Sequence, residues 1–167
     1  MTDNTFTYDE LIDLPIDAVW SAMKRTSELD VLGGQQVIER DSDADWTCRT
    51  DERNTSRCHA DYDEPSRTVT VTIASTAKRV KDTTTIEARA EGDGTRVAVT
   101  AVIRGGAVVS AMLKLIGRAG VQSVNRRIVA NIATLARGGA THTMTEEEIS
   151  AAAGDRLDAL RERSGRR

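Results

Sequence analysis

The chain has 167 residues, 39% of them hydrophobic and 29% charged, with a net charge of −3. That length suits one domain around a single core, and that composition excludes a disordered or fibrous chain. The acidic balance, without a basic stripe interleaved with aromatics, argues against nucleic-acid binding. No window reaches the roughly 18 apolar residues of a membrane span, and the opening MTDNTFTYDELIDLP lacks the basic start and apolar run of a signal peptide. A cytoplasmic address is therefore expected, with the two cysteines as free thiols.

Thr5 to Asp13 predicts an opening strand. After Leu14-Pro15, the residues Ile16, Val19, Trp20 and Met23 recur at helical spacing and predict a short amphipathic helix started by proline. Gly33-Gly34 marks a turn. From Gln35 to Arg104 the runs QQVIER, WTCRT, SRCHADY, RTVTVTIAS, TTTIEARA and TRVAVTAVIR alternate with turn residues such as DSDAD, DEPS and EGDG, the pattern of an antiparallel meander. The GDGTR stretch lacks the spacing of a dinucleotide-binding loop and reads as a hairpin turn.

Alternation assigns the faces. Val69, Val71 and Ile73 share one side of their strand, as do Val97, Val99, Ala101 and Ile103 of theirs. The apolar face needs a cover, and only the helix after Gly106 is long enough to supply it. If the hairpin joining WTCRT to SRCHA is symmetric about Arg53, Trp46 faces Ala60, Cys48 faces Cys58 and Thr50 faces Ser56, all inward, with Arg49 and Arg57 opposed outside. The cysteines then read as small buried hydrophobes. His59 points to the other face, so no metal site is expected, and no cofactor motif occurs. His59, Asp61, Asp63 and Glu64 concentrate acid-base groups, but they run into a turn and read as solvent-facing.

The helix between Gly105 and Gly139 carries two apolar stripes. Val108, Met112, Leu115, Ile116 and Ala119 form one; Val121, Val124, Ile128, Ile132 and Leu135 form another, roughly 160° away at about 100° per residue. One straight helix cannot bury both against one sheet, so a bend or break is expected at Gly117 to Gly120, or else an exposed first stripe. Beyond it, residues 138–167 read as a linker and an added helix, with Thr145 and Glu148 spaced as a capping box and Ile149 opening a thin apolar seam.

This order of elements resembles the SRPBCC superfamily, the Bet v 1 and START-related helix-grip fold. The residues that carry the likeness are LPIDAVWSAM at 14 to 23 and EGDGTRVAVTAVIRGG at 91 to 106, followed by the glycine-interrupted helix and NIATLA. Within the superfamily the second stretch is similar to the group typified by the G-type subunit of carbon monoxide dehydrogenase. The resemblance covers roughly residues 5 to 136 and implies an α+β fold in which a curved antiparallel sheet of six to seven strands grips a long C-terminal helix, with two short helices after the first strand. Residues 1–137 would form that domain. It further implies an apolar cavity between sheet and helix. Trp46, Cys48, Cys58, Val69, Val71, Ile73, Ile86, Val97 and Val99 would line it from the sheet, and Ile128, Ile132 and Leu135 from the helix, with Asn125 and Asn131 orienting a ligand.

The leading functional expectation is a non-catalytic binding or carrier protein for a hydrophobic small molecule such as a lipid, quinone or polyketide. A cyclase or aromatase of the polyketide kind is the first alternative, although the sequence offers no obvious inward acid, base or tyrosine. The other is an accessory subunit that docks on a larger assembly or membrane surface through Val108, Met112, Leu115 and Ile116.

Overall fold

The structure, a computed structural model, describes residues 2–49, 52–76 and 81–151, without the side chains of Met112, Leu115 and Ile116. Strand β1 (Thr2–Ile12) leads to helix α1 (Ile16–Met23) and a single 3-10 turn (Thr26–Glu28), then to β2 (Gln36–Arg40), β3 (Asp45–Arg49), β4 (Thr55–Asp63), β5 (Thr68–Ser75), β6 (Lys81–Glu91) and β7 (Gly94–Gly105). These seven strands form one antiparallel sheet in the order β1-β7-β6-β5-β4-β3-β2. Consecutive strands from β2 to β7 are neighbours, and β1 completes the sheet along the far side of β7. The tight turn from β6 to β7 uses Gly92 at φ +60°, a left-handed conformation that glycine adopts without a Cβ clash.

Helix α2 (Ala107–Met112) runs through a π-helical segment (Leu113–Gly117) into α3 (Arg118–Ala136). The expected irregularity therefore exists, but it falls at Leu113–Gly117, not at the Gly117 to Gly120 tract, and it takes the form of widened turns. A π turn takes up an extra residue, which shifts the phase of everything after it by about 100° and so changes the roughly 160° that would separate the two stripes on an unbroken helix. Val108, in the first stripe, is 82% exposed. Met112, Leu115 and Ile116, the rest of the expected docking stripe, lie outside the described side chains.

The second stripe does what its spacing predicts. Of that stripe Ile128, Ile132 and Leu135 are buried, joined by Val129, in one core with the inward residues Val69, Val71, Ile86, Val97 and Val99 and with Trp46, Cys48, Cys58 and Ala60, while Val121 and Val124 are half-buried. Each such aliphatic side chain contributes about 1.5–3 kcal/mol through burial. α1 packs on α3 and on β6, and Trp20 anchors it, its indole Nε1 donating to Glu64 Oε2 at 2.6 Å.

Strand pairing corrects one expectation. Trp46 lies opposite Cys58 and Cys48 opposite Ser56, so the hairpin centres on Glu52 and not on Arg53. Moving the partner by two residues preserves parity, so every inward residue stays inward, and Cys48 and Cys58 become diagonal neighbours with their Sγ atoms 3.9 Å apart. Arg49 and Arg57 do not oppose each other. Arg49 sits across from Thr55, Arg57 sits across from Thr47, and Arg57 pairs with Asp41 at 3.5 Å. Thr50 lies outside the described residues.

Residues 141–149 fold back onto the domain. Met144 is buried, Asp30 accepts its N–H, and Asn131 holds the backbone of His142 two residues before it. Thr145 and Glu148 make the capping box: the Thr145 N–H donates to Glu148 Oε2 at 2.7 Å, and the Glu148 N–H donates to Thr145 Oγ1 at 3.2 Å.

Candidate functional site

Toward one end of the sheet the inward positions change character. On β5, Val69, Val71 and Ile73 give way to Ser75; on β4, Ala60 and Cys58 give way to Ser56; on β6, Ala88 and Ile86 give way to Thr84 and then Asp82. Small and polar side chains there cannot fill the space under α3 as branched aliphatic ones do. A cavity of about 390 Å³ opens at that end, and Val121, Val124 and Asn125 of α3 cover it, with Val31 and Leu32 closing one side. Its volume falls within the range of small-molecule sites, about 300–1,000 Å³.

Of the residues expected to line a cavity, the structure brings Ile73 and Asn125 to this one. Trp46, Cys48, Cys58, Val69, Val71, Ile86, Val97, Val99, Ile128, Ile132 and Leu135 sit in the continuous core beside it. Asn131 is buried further along α3, where its Nδ2 donates to Leu29 O and His142 O. The sequence pattern placed Ser56 inward and Val121 and Val124 on the buried stripe without marking them as cavity walls, and Ser75, Asp82 and Thr84 were not singled out. A signal for Ser56, Ser75, Asp82 and Thr84 was available: at one end of three neighbouring strands, the inward alternation switches from aliphatic to hydroxyl and carboxyl side chains.

The polar atoms of the cavity are unevenly committed. The Asp82 Oδ1 accepts the Arg104 N–H at 3.0 Å. Asn125 is 1% exposed and donates from Nδ2 to Phe6 O at 3.3 Å, which leaves its Oδ1 without a hydrogen bond among the described residues. Behind the Val31 and Leu32 wall lies the buried carboxylate of Asp30. It accepts N–H groups from Gly34 (2.9 Å), Gln35 (2.8 Å) and Met144 (2.8 Å), while burial pushes its pKa above the ordinary value. The loop it organises carries Gly33 at φ +74°, packed so closely under Val124 that a Cβ there would lie 2.5 Å from Val124 Cγ2. Asp30 thus fixes the wall from outside the cavity.

Two other groups of reactive residues lie apart from the cavity lining. The Cys48–Cys58 contact, aided by burial, raises the Cys58 thiol far above its usual range. On the outer face His59 is held between Asp45 (2.7 Å from Nδ1) and Asp61 (3.2 Å from Nε2), and these carboxylates raise its pKa. It is exposed, as expected from its turn-bound sequence.

A sheet wrapped on one long helix, with short helices between the first two strands and a void beneath the helix, decides the architecture. The fold is the Bet v 1-like helix grip. Solved helix-grip structures match it along most of their lengths. ZhuI aromatase/cyclase from Streptomyces sp. R1128 is 15% identical with a TM-score of 0.54, covering 81% of this chain and 94% of its own. Norcoclaurine synthase from Thalictrum flavum, a point mutant in complex with a transition-state analogue, is 12% identical with a TM-score of 0.57 over 82% of this chain and 96% of its own. A conserved Geobacillus kaustophilus protein is 12% identical with a TM-score of 0.59 over 85% and 100%. No protein-family model and no curated protein sequence matches the chain. Likeness at this identity carries the helix-grip architecture and leaves function to be argued from the site. No helix among the described residues is long and apolar enough to cross a membrane.

Proposed function

We propose that this protein binds a hydrophobic small molecule in the cavity between α3 and the inward face of β4 to β7, and holds it without transforming it. The observation that carries the reading is the void of about 390 Å³ at a place where a helix and a sheet otherwise interlock. Its apolar walls, Ile73, Ala101, Val121 and Val124, supply affinity through burial. Native mass spectrometry of the purified protein tests the reading. A co-purified lipid, quinone or polyketide at near-stoichiometric occupancy, displaced in Ala101→Trp, is the expected result. A wild-type protein that is empty and whose melting temperature no apolar probe raises would overturn it.

A cyclase is the second reading, and the observation favouring it is Asp82, the one carboxylate among the described residues lining the cavity. A carboxylate at an apolar wall can take a proton from an enolisable substrate. Loss of turnover with retained binding in Asp82→Asn would support this reading over simple carriage.

A further inference from the structure

Three polar side chains border the cavity, each more than nine-tenths buried: Ser56 at 6% exposure, Thr84 at 4% and Asn125 at 1%. The hydroxyls of Ser56 and Thr84 make no hydrogen bond among the described residues, and neither does Asn125 Oδ1, yet none of these oxygens is sealed from the void. Open to the void and without a protein partner, these oxygens are free to hydrogen-bond the polar atoms of an occupant, and an apolar occupant that covered them would cost each its hydration.

Their positions are not equivalent. Ser56 lies across from Ser75 toward the outer end of β4 and β5, whereas Thr84 is next but one to the core residue Ile86 on β6 and lies across from Ala101. Asn125 is bonded to Phe6, which pairs with the same Ala101 from the other side. Thr84 and Asn125 therefore mark the inner end of the cavity, beside the closed core.

The chemistry of this pair is directional. Phe6 O can only accept, so the amide nitrogen of Asn125 is the atom facing it and the oxygen is the atom left over. That oxygen takes a hydrogen bond but cannot give one. A threonine hydroxyl can give one. The group that satisfies both at once is a hydroxyl, which donates to Asn125 Oδ1 while accepting from Thr84 Oγ1. A carbonyl or ether leaves Asn125 unsatisfied, and a hydrocarbon leaves both so.

We propose that the inner end of the cavity is a hydroxyl-recognition site, and that the ligand is an apolar molecule bearing an alcohol or phenol group that enters first. The proposal rests on the binding function above and narrows it to a chemical class. Isothermal titration of 1-naphthol, naphthalene and 1-fluoronaphthalene tests it, since the three are close in shape and only the first can donate. The expected result is 1-naphthol binding about tenfold or more tighter than the other two, a preference reduced in Thr84→Val and abolished in Asn125→Ala with naphthalene affinity unchanged. Equal affinities in the wild type would overturn the hydroxyl site and leave the apolar cavity standing. A preference undiminished in Thr84→Val also overturns it, and this near-isosteric variant decides the question even if Asn125→Ala does not fold. Failure of all three probes to bind would overturn the hydroxyl site, and in a protein also found empty by native mass spectrometry it would remove the binding function as well.

Discussion

Asn131 holds the backbone of His142 from both sides: its Nδ2 donates to His142 O and its Oδ1 accepts the His142 N–H, each at 2.9 Å. The same Nδ2 reaches Leu29 O at 3.2 Å, so one buried amide ties α3 to the segment that follows it and to the loop ahead of β2. Asn131→Ala strands these backbone groups in a site where water does not replace the lost amide. We expect a loss of about 1–3 kcal/mol in urea unfolding, with hydrogen exchange at His142 accelerated more than at Ile128.

Glu148 makes part of that attachment pH-dependent. The Thr145 N–H first, and then His142, lower its pKa from 4.5 to about 2. A carboxylate with a depressed folded-state pKa stabilises fully above its unfolded value and loses that contribution as pH falls through the folded one. The difference in melting temperature between wild type and Glu148→Gln should therefore be constant above about pH 5 and shrink between pH 4.5 and 2. A difference that stays constant over that range, measured by circular dichroism, would contradict the assignment.

Gly33 meets two separate demands. Its φ of +74° disfavours any residue with a Cβ, and that Cβ would fall 2.5 Å from Val124 Cγ2. Gly33→Ala should cost about 1–3 kcal/mol. Adding Val124→Ala removes the steric part only, so the double mutant should recover some of the loss in a thermodynamic cycle and never all of it.

Cys48 and Cys58 are both buried, and their mutual contact with burial raises the Cys58 thiol. Thiolate is the reactive form, so the raised pKa and burial together protect Cys58, while burial alone protects Cys48, whose pKa the same contact lowers. Iodoacetamide at neutral pH should leave both unmodified in the native protein and label both in guanidinium, as read by intact mass. Rapid labelling of either in the native state would show that this part of the core opens.

The periodic parts of this fold were legible in the chain. Ile16, Val19, Trp20 and Met23 announced α1, and the Val69, Val71, Ile73 and Val97, Val99, Ala101 alternations announced the buried face, because periods of 3.6 and 2 are written directly into residue order. The Thr145 and Glu148 capping box was legible for the same local reason. What escaped was set by distance along the chain. Alternation says which side of a strand faces the helix, not how far along the strand the packing ends, so the cavity fell beyond Val71 and Ile86, where Ser56 was placed inward but not as a cavity wall and Thr84 went unnoticed. The hairpin centre was misplaced because parity is unchanged by a shift of two partners. Nothing periodic links Asp30 to Met144, a bond spanning 114 residues.

The π-helical turns at Leu113–Gly117 also determine how this chain tolerates insertions and deletions. Loss of one residue there would restore ordinary helical turns and leave Asn125 and Ile128 facing the sheet as they do, whereas the same loss within α3 ahead of Asn125 would turn both by about 100°. The connection after β7 thus behaves as a phase adjuster: it decouples the number of residues leaving the sheet from the side of the helix that returns to it, and a single residue lost in that stretch is absorbed locally.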